Sequence, residues 1–444
     1  MAGMVVKNNM SAINTLNTLN KNHSALSNSL KKVSSGMRIN SAADDASGYA
    51  ISERMRVQIR SLDQDNKNTQ NGNAMMKVAE GAVQSTVDIL KTLKEKVINA
   101  ANDTNTDSDR QQIQKELDQS IDQINDNANV TYNGKYLVDG SHNNKVTATK
   151  SHLTNASLNS DTTFGTAISA LENRSGEKLH IGSTDQVTVS IVNEGKTYIT
   201  SFQVGSFTLG DIVSKANSAK AGDAALSTKT SLVTASESST IGTGPSTDTI
   251  STPNLEKALT IAANTAGVDY QIAGFTISIT DTQGNINKSA NAILDNFNES
   301  IRAQNNSADN AIVLQTGTKA NQAIKIGLTD MRAQALGLQG SDGKTLNVST
   351  QKNANAAINV LDNAIQKALD QQTTIGAIES RLDYTSTNLT TAAENVTASE
   401  STIRDADMAK EMTEYTKNNV LLQAAQSMLA QANQNSSSVL SLLQ

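Results

Sequence analysis

The feature that most constrains this chain is a seven-residue apolar repeat near its C-terminal end. From Leu361 every seventh residue is apolar: Ala368, Ile375, Leu382, Leu389, Val396 and Ile403. Ala364, Ile378, Ala392 and Ala406 form a weaker row three residues after some of these. Such a repeat is the seam of a long helix that packs lengthwise on another helix. At ~1.5 Å per residue the seam runs ~60 Å. No ordinary globular core covers that length, so an equally long partner is required.

The N-terminal end supplies one candidate. Val5, Ala12, Leu19, Leu26 and Val33 recur at sevens, with Leu16 and Leu30 in a second row four residues along. This reads as one helix that ends near Ser34-Ser35-Gly36. His23 falls in the second row with no second metal ligand one turn away, so it reads as a partly buried interface histidine. Residues Ser35 to Gly48 read as an ordered loop. Asp44 and Asp45 then lie near a helix N-terminus, where the dipole favours them, with Ser41 or Ser47 as cap.

A second long helix follows from Tyr49 to about Ala101. Met76, Val83, Leu90 and Val97 repeat at sevens and make it a candidate partner for the C-terminal seam. Asn102 to Asp109 offers oxygens at alternate positions. A calcium loop wants Gly sixth and Glu twelfth, and Ser108 and Gln114 stand there. The segment reads instead as a turn whose Asp and Ser residues cap a helix carrying Ile113, Leu117, Ile121 and Ile124. Asn133-Gly134 then signals a tight turn between β-prone residues.

The composition changes between about Asn144 and Asp309. All five Phe and both Pro lie there. Val187, Val189 and Ile191 alternate with Thr188 and Ser190, and Glu194-Gly195 separates them from a second β-prone run, a hairpin. Gln271–Asp281 reads as another strand. Leu209–Ala219 and Leu255–Ala263 read as short helices, and Ser227 to Thr252 as a loop. A last hairpin pairs Ala311–Thr316 with Gln322–Leu328. After Ile403 the repeat shifts phase and resumes at Met408, Tyr415, Leu422 and Leu429, which predicts a break between two helices.

The fold class is therefore mainly α with an α+β insertion. Both termini are read as a long antiparallel α-helical coiled-coil bundle with small β-hairpins, and a compact α+β domain is inserted between them. The terminal helices carry more apolar rows than one molecule can hide. Burying a Leu or Ile stabilises by roughly 1.5–3 kcal/mol, so these helices should pair with copies of the same chain. Head-to-tail contacts that do not close give a helical filament.

Composition excludes several other functions. The 444 residues carry a net charge of -6 and no Cys. There is no basic field for nucleic acid and no polybasic patch for membranes. Disulfides, thiolate metal sites and thiol catalysis are excluded. No stretch approaches the ~20 apolar residues of a membrane span. Met1–Ser11 has only Met4-Val5-Val6 as an apolar run, so no conventional signal peptide is expected. None of His23, His142, His152 or His180 belongs to a His-Glu-x-x-His motif, and no Gly-rich phosphate loop or nucleophile elbow appears. No enzyme activity, catalytic residue, metal or cofactor is expected.

The stretch Ser34–Ile51, SSGMRINSAADDASGYAI, resembles the N-terminal signature of bacterial flagellins. Ile403-Arg404-Asp405-Ala406-Asp407 and Leu429-Ala430-Gln431-Ala432-Asn433-Gln434 with Leu443 resemble their C-terminal signature. The likeness covers about 1–140 and 308–444 and leaves the middle out. It implies five regions. Residues 1–47 and 408–444 would be inner-tube helices. Residues 48–143 and 308–407 would form the outer tube, and 144–307 a variable surface domain. It implies a self-assembling subunit of the flagellar filament, or alternatively the hook–filament junction protein. A secreted adhesin or coiled-coil effector is a more distant alternative. Subunit contacts are expected at Leu16, Leu19, Leu26, Leu30, Val33, Leu422, Leu429, Leu440 and Leu443. Partners implied are other copies of the chain, the flagellar export apparatus and its chaperone, the filament cap and the hook-associated proteins. The location implied is extracellular.

The family's contact with a vertebrate Toll-like receptor uses a Leu-Gln-Arg-x-Arg-Glu-Leu segment. Here Leu90-Lys91-Thr92-Leu93-Lys94-Glu95-Lys96 resembles it. Leu90, Lys94 and Glu95 are the candidate contacts. Thr92 loses an arginine and Lys96 replaces a leucine, so recognition should be weakened.

Overall fold

A computed structural model describes residues 9–221, 224–226 and 230–442. About half of the chain is helical: α1 (Met10–Ser35), α2 (Ala46–Ala101), α3 (Asp107–Ala128), α4 (Leu209–Asn217), α5 (Lys288–Leu294), α6 (Gln351–Arg404) and α7 (Met408–Leu442). Small antiparallel sheets make up much of the rest. Two compact units result. The first comprises Met1–Thr69, Gln315–Gln322 and Tyr384–Gln444; the second comprises Gln70–Leu314 and Ala323–Asp383.

The second unit holds the seams. Met76, Val83, Leu90 and Val97 of α2 and Leu361, Ala368, Ile375 and Leu382 of α6 are all fully buried in one core. Leu117, Ile121 and Ile124 of α3 join it. α3 starts at a capping box, in which Thr106 Oγ1 accepts from the Asp109 N–H at 3.3 Å and the Asp109 carboxylate accepts from the Thr106 N–H at 2.9 Å. The N-cap is thus Thr106, and Asp109, one of the expected acidic residues, closes the box from the third helical position. Asn133 and Gly134 have φ of 51° and 76°, the pair of left-handed values that a two-residue hairpin turn needs. They join Thr131–Tyr132 to Lys135–Tyr136.

Between residues 144 and 307 a second core forms. A five-stranded sheet runs in the order Gly274–Thr280, Gln186–Asn193, Lys196–Gln203, Lys220–Ala221, Ala224–Ala225. Phe275, Ile277 and Ile279 stand opposite Ile191, Val189 and Val187, and all six are buried. The alternation read in the sequence is therefore the inward face of this sheet.

A four-stranded sheet, ordered Asn298–Ile301, His152–Asn155, Leu259–Ala263, Leu232–Ser236, lies in the same unit. This corrects two expectations. Leu259–Ala263 is a central strand and not part of a helix; it pairs on both sides and all five residues are buried. Its short run of Ala with β-branched Thr260 and Ile261 has no helical period, and tertiary pairing decided the outcome. The expected loop at 227–252 contains Leu232–Ser236, Thr240–Thr243 and Thr249–Ser251 as strands; 227–229 lie outside the described residues. Ser and Thr there are strand residues with polar outward faces.

One side of α6 carries this second core. Asn359, Asn363 and Lys367 recur at fours, with Asp370 three further on, so they form one stripe. Asn359 Nδ2 donates to the Asp295 carboxylate at 3.2 Å, and Asn363 Nδ2 to the Ala273 carbonyl at 2.9 Å. Lys367 Nζ lies 3.3 Å from the Glu299 carboxylate and donates to Gln271 Oε1 at 3.1 Å. Asp370 pairs with Arg302. Gly274 permits the close approach, since a Cβ there would sit 2.7 Å from Val360 Cγ2.

Asp295 gives this junction a pH dependence. Burial pushes its carboxyl up to about 6 from 3.8, and its place just after α5 adds the unfavourable negative end of a helix dipole. A raised carboxyl contributes most to stability below 3.8, and that contribution is lost as pH rises through about 6. The rise corresponds to at most ~3 kcal/mol. Asp295→Asn is expected to stabilise the chain by ~1–2 kcal/mol at pH 7 and to have no such effect at pH 4. Urea unfolding at the two pH values checks this; equal shifts at both would contradict it.

Candidate assembly surface

In the first unit α1 and α7 lie antiparallel. Asn9 Nδ2 donates to the Ala432 carbonyl at 3.2 Å, Asn22 Nδ2 to the Leu421 carbonyl at 3.1 Å, and Asn418 Nδ2 to Ser29 Oγ at 2.9 Å. α1 is capped by Asn9, whose Oδ1 accepts from the Ala12 N–H, and closed by Gly36, whose N–H donates to the Lys32 carbonyl. α7 is opened by Asp407, whose Oδ1 accepts from Ala409 and Lys410.

The two apolar rows of α1 separate in this pair. Ala12, Leu19, Leu26 and Val33 are half-buried, and Leu422 and Leu429 of α7 are half-buried as well. Leu16 and Leu30 stay 45% and 52% exposed. His23 shares their row and is exposed, so the partial burial expected of it is absent within one chain. On α7, Met412, Val420, Leu421 and Met428 are exposed too. Leu440 lies in α7, and Leu443 lies outside the described residues. Among the described side chains of the two helices, only Ser29 and Ala425 are buried. Two helices side by side bury one stripe each and leave the second stripe to water.

The turn after α1 is tied to the break between α6 and α7. The Arg38 N–H donates to the Arg404 carbonyl at 2.7 Å, the Ala406 N–H to the Gly36 carbonyl at 2.9 Å, and Met37 bridges Asp405. The Arg404 guanidinium is buried, 2.6 Å from Glu53 Oε1, and its carbon lies 5.4 Å from the Tyr49 ring centroid. It holds the Glu53 carboxyl below the usual carboxylate range. At the start of α2 the cap is Asp45, which accepts from the Gly48 N–H at 3.0 Å. This corrects the assignment to Ser41 or Ser47. Asp44 turns back on the loop and accepts from the Ser41 N–H at 2.9 Å. The clasp role of Arg404 was missed in the sequence. Its signal was a lone cation at the phase break of the repeat.

Within this unit α2 and α6 leave a shallow groove over Ile59, Leu62, Leu389 and Ala393. Leu389 is 9% exposed, and Val396 and Ile403 are only half-buried. The seam that is covered in the second unit is open here among the described residues.

The candidate receptor stretch divides differently from the expectation. Leu90 is fully buried in the core and offers no surface. Lys94 is tied to Asp362, and Lys96 Nζ lies 3.0 Å from Glu116. Thr92 and Glu95 are exposed. Among the described residues no group of three or more His, Asp or Glu is placed to hold a metal ion, and no helix is long and apolar enough to cross a membrane.

Two family models match the chain. One describes the bacterial flagellin N-terminal helical region and matches residues 6–143; the other describes the C-terminal helical region and matches 358–443. The chain is 34% identical to a flagellin of Clostridium tyrobutyricum over 432 residues, 97% of this chain and 99% of that protein. It is 29% identical to a flagellin of Bacillus subtilis (strain 168) over 460 residues, 99% of this chain and 100% of that one. Among solved structures, the flagellar hook associated protein-3 of Legionella pneumophila aligns at 13% identity with a TM-score of 0.33, covering 78% of this chain and 97% of that one.

Proposed function

The chain belongs to the flagellin family and is a subunit of the bacterial flagellar filament, and from that premise we propose which parts of it do the assembling. Residues 1–47 and 408–444 form the inner tube. Residues 48–143 and 308–407 form an outer antiparallel coiled-coil bundle, and 144–307 stand on the filament surface. The observation that carries this reading is the uncovered second row of α1, Leu16 and Leu30, together with Val420, Leu421 and Met428 of α7. Apolar patches of this kind mark interaction sites. Leu19, Leu26, Val33, Leu422 and Leu429 hold the two helices of one subunit together; Leu16 and Leu30 meet the neighbouring subunits, and Leu440 and Leu443 extend that contact at the C-terminal end.

Relatives named flagellin at near full length favour the filament role over the hook–filament junction. The export apparatus with its chaperone, the filament cap and the hook-associated proteins are the further partners in this reading. Recognition by the vertebrate Toll-like receptor is weak, because Thr92 and Lys96 depart from the family's segment and Leu90 is buried. A receptor reporter assay reads this directly, and potency equal to that of a flagellin with the full segment would contradict it.

The assembly test uses purified monomer and short filament seeds. Wild-type chain is expected to elongate the seeds into filaments seen by electron microscopy. Leu16→Asp with Leu30→Asp is expected to stop elongation while leaving the thermal melt of the remaining structure in place. Normal filaments from that double variant would sink the assignment.

A further inference from the structure

Four of the nine methionines among the described residues are exposed, and all four lie on α1 and α7. They are Met10 of α1, 60% exposed, and Met408, Met412 and Met428 of α7, at 44%, 45% and 62%. Met75, Met76 and Met331 are buried in the core of the second unit, and Met37 and Met55 are half-buried. Met1 and Met4 lie outside the described residues.

The helix pairing places the four. Lys32 Nζ lies 3.7 Å from Glu411, so Met408 and Met412 stand beside the C-terminal end of α1. Asn9 reaches the Ala432 carbonyl, so Met10 and Met428 stand toward its N-terminal end. Met412 lines a shallow groove with Val420 and Leu421, and Met428, seven residues after Leu421, continues that face. A leucine would bury as much apolar surface at each place. What the thioether adds is a sulfur lone pair open to oxidants in water.

That lone pair attacks one oxygen of hydrogen peroxide, the O–O bond breaks, and a proton transfer leaves methionine sulfoxide and water. Sulfur loses two electrons and the peroxide gains them. A flexible apolar side chain becomes a polar one. The chain has no Cys, so no thiol within it competes for the oxidant.

We propose that Met10, Met408, Met412 and Met428 are a reversible peroxide-oxidation site on the assembly surface, open in the free subunit and closed in the filament. A sulfoxide oxygen is an acceptor without a donor, and burying it in an apolar contact opposes association. An oxidised subunit therefore stays out of the filament until it is reduced. This rests on the assembly reading above, in which the exposed rows of α1 and α7 meet other copies of the chain.

The test treats purified full-length monomer with hydrogen peroxide and maps the sulfoxides by peptide mass spectrometry. The four exposed methionines are expected to convert at least about tenfold faster than Met75, Met76 and Met331. Oxidised monomer is expected to elongate filament seeds at least about tenfold more slowly than untreated monomer. Methionine sulfoxide reductases for both epimers, with a dithiol as reductant, should restore elongation; each sulfoxide returns to thioether and water as the dithiol becomes a disulfide. The variant Met10→Leu, Met408→Leu, Met412→Leu, Met428→Leu keeps the apolar rows and is expected to elongate at the wild-type rate before and after peroxide. Normal elongation by monomer carrying all four sulfoxides would overturn the proposal. So would a four-leucine variant that peroxide stops as fully as wild type, or an oxidised wild type that the reductases leave inactive. The assembly reading is judged separately, by untreated Leu16→Asp with Leu30→Asp.

Discussion

Glu299→Gln is expected to destabilise the second unit by about 3–5 kcal/mol. The reason is what it leaves behind. Lys367 is 7% exposed at its side chain and Glu299 4%. Their 3.3 Å pairing compensates a cation that Gln271 Oε1 and the Ala335 carbonyl solvate only in part. Removing one charge leaves the other largely buried without its counter-ion. Replacing both partners, as Lys367→Met with Glu299→Leu, should recover most of the loss, because a buried pair is often worth no more than apolar side chains of its size. Urea unfolding of the two variants checks this. A single substitution costing under ~1 kcal/mol would be the value of an exposed pair and would contradict the burial.

The same pair explains why removing the whole insertion should be milder than changing one residue in it. Val146 bridges Ser307 and Thr149 bridges Gln304, so the two chain segments already run side by side where they leave the core. Deleting 151–302 with a short linker leaves these bridges intact. It also removes Glu299 and its surroundings together, which returns Lys367 to water. Asn359 and Asn363 are equally content when hydrated. Such a chain is expected to polymerise, and a well-exported deletion variant that does not would contradict the surface placement of 144–307.

The seams were legible because their period is long and strict. Met76, Val83, Leu90 and Val97, and Leu361 through Leu382, are buried where the repeat requires. The break after Ile403 was legible as a phase shift, and the Asn133-Gly134 hairpin as turn chemistry. The caps were misread because Ser, Thr and Asp compete for the same position and only backbone geometry selects Asp45 and Thr106. The strand Leu259–Ala263 was misread because five buried residues carry no amphipathic period. Leu90 belongs both to the seam repeat and to the receptor-like segment, and its burial in the seam leaves it no surface for a receptor. The Lys367–Glu299 pair and the Arg404 clasp were out of reach, since they join residues far apart in sequence and no local pattern announces them.

In the free monomer α1 and α7 are expected to open far more easily than α2 and α6. Local stability follows buried apolar contact, and among their described side chains only Ser29 and Ala425 are buried, neither of them large. Isolated amphipathic helices are marginal in water without packing on the second face. Hydrogen exchange on monomer should therefore show the amides of 10–35 and 408–442 exchanging near the unprotected rate. Protection should rise abruptly at the clasp, where Arg404 is held by Glu53 and by the loop at 36–39. In filaments the same amides should be protected, because the row of Leu16 and Leu30 then has a partner and ordering is coupled to assembly. Limited proteolysis should remove both ends up to that clasp, and the trimmed product should not elongate seeds. Arg404→Met tests the boundary itself: it frees Glu53, so protection should recede into α2 and α6. Terminal helices as protected in monomer as α2 would show that the single stripe of Leu19, Leu26, Leu422 and Leu429 is enough to hold them.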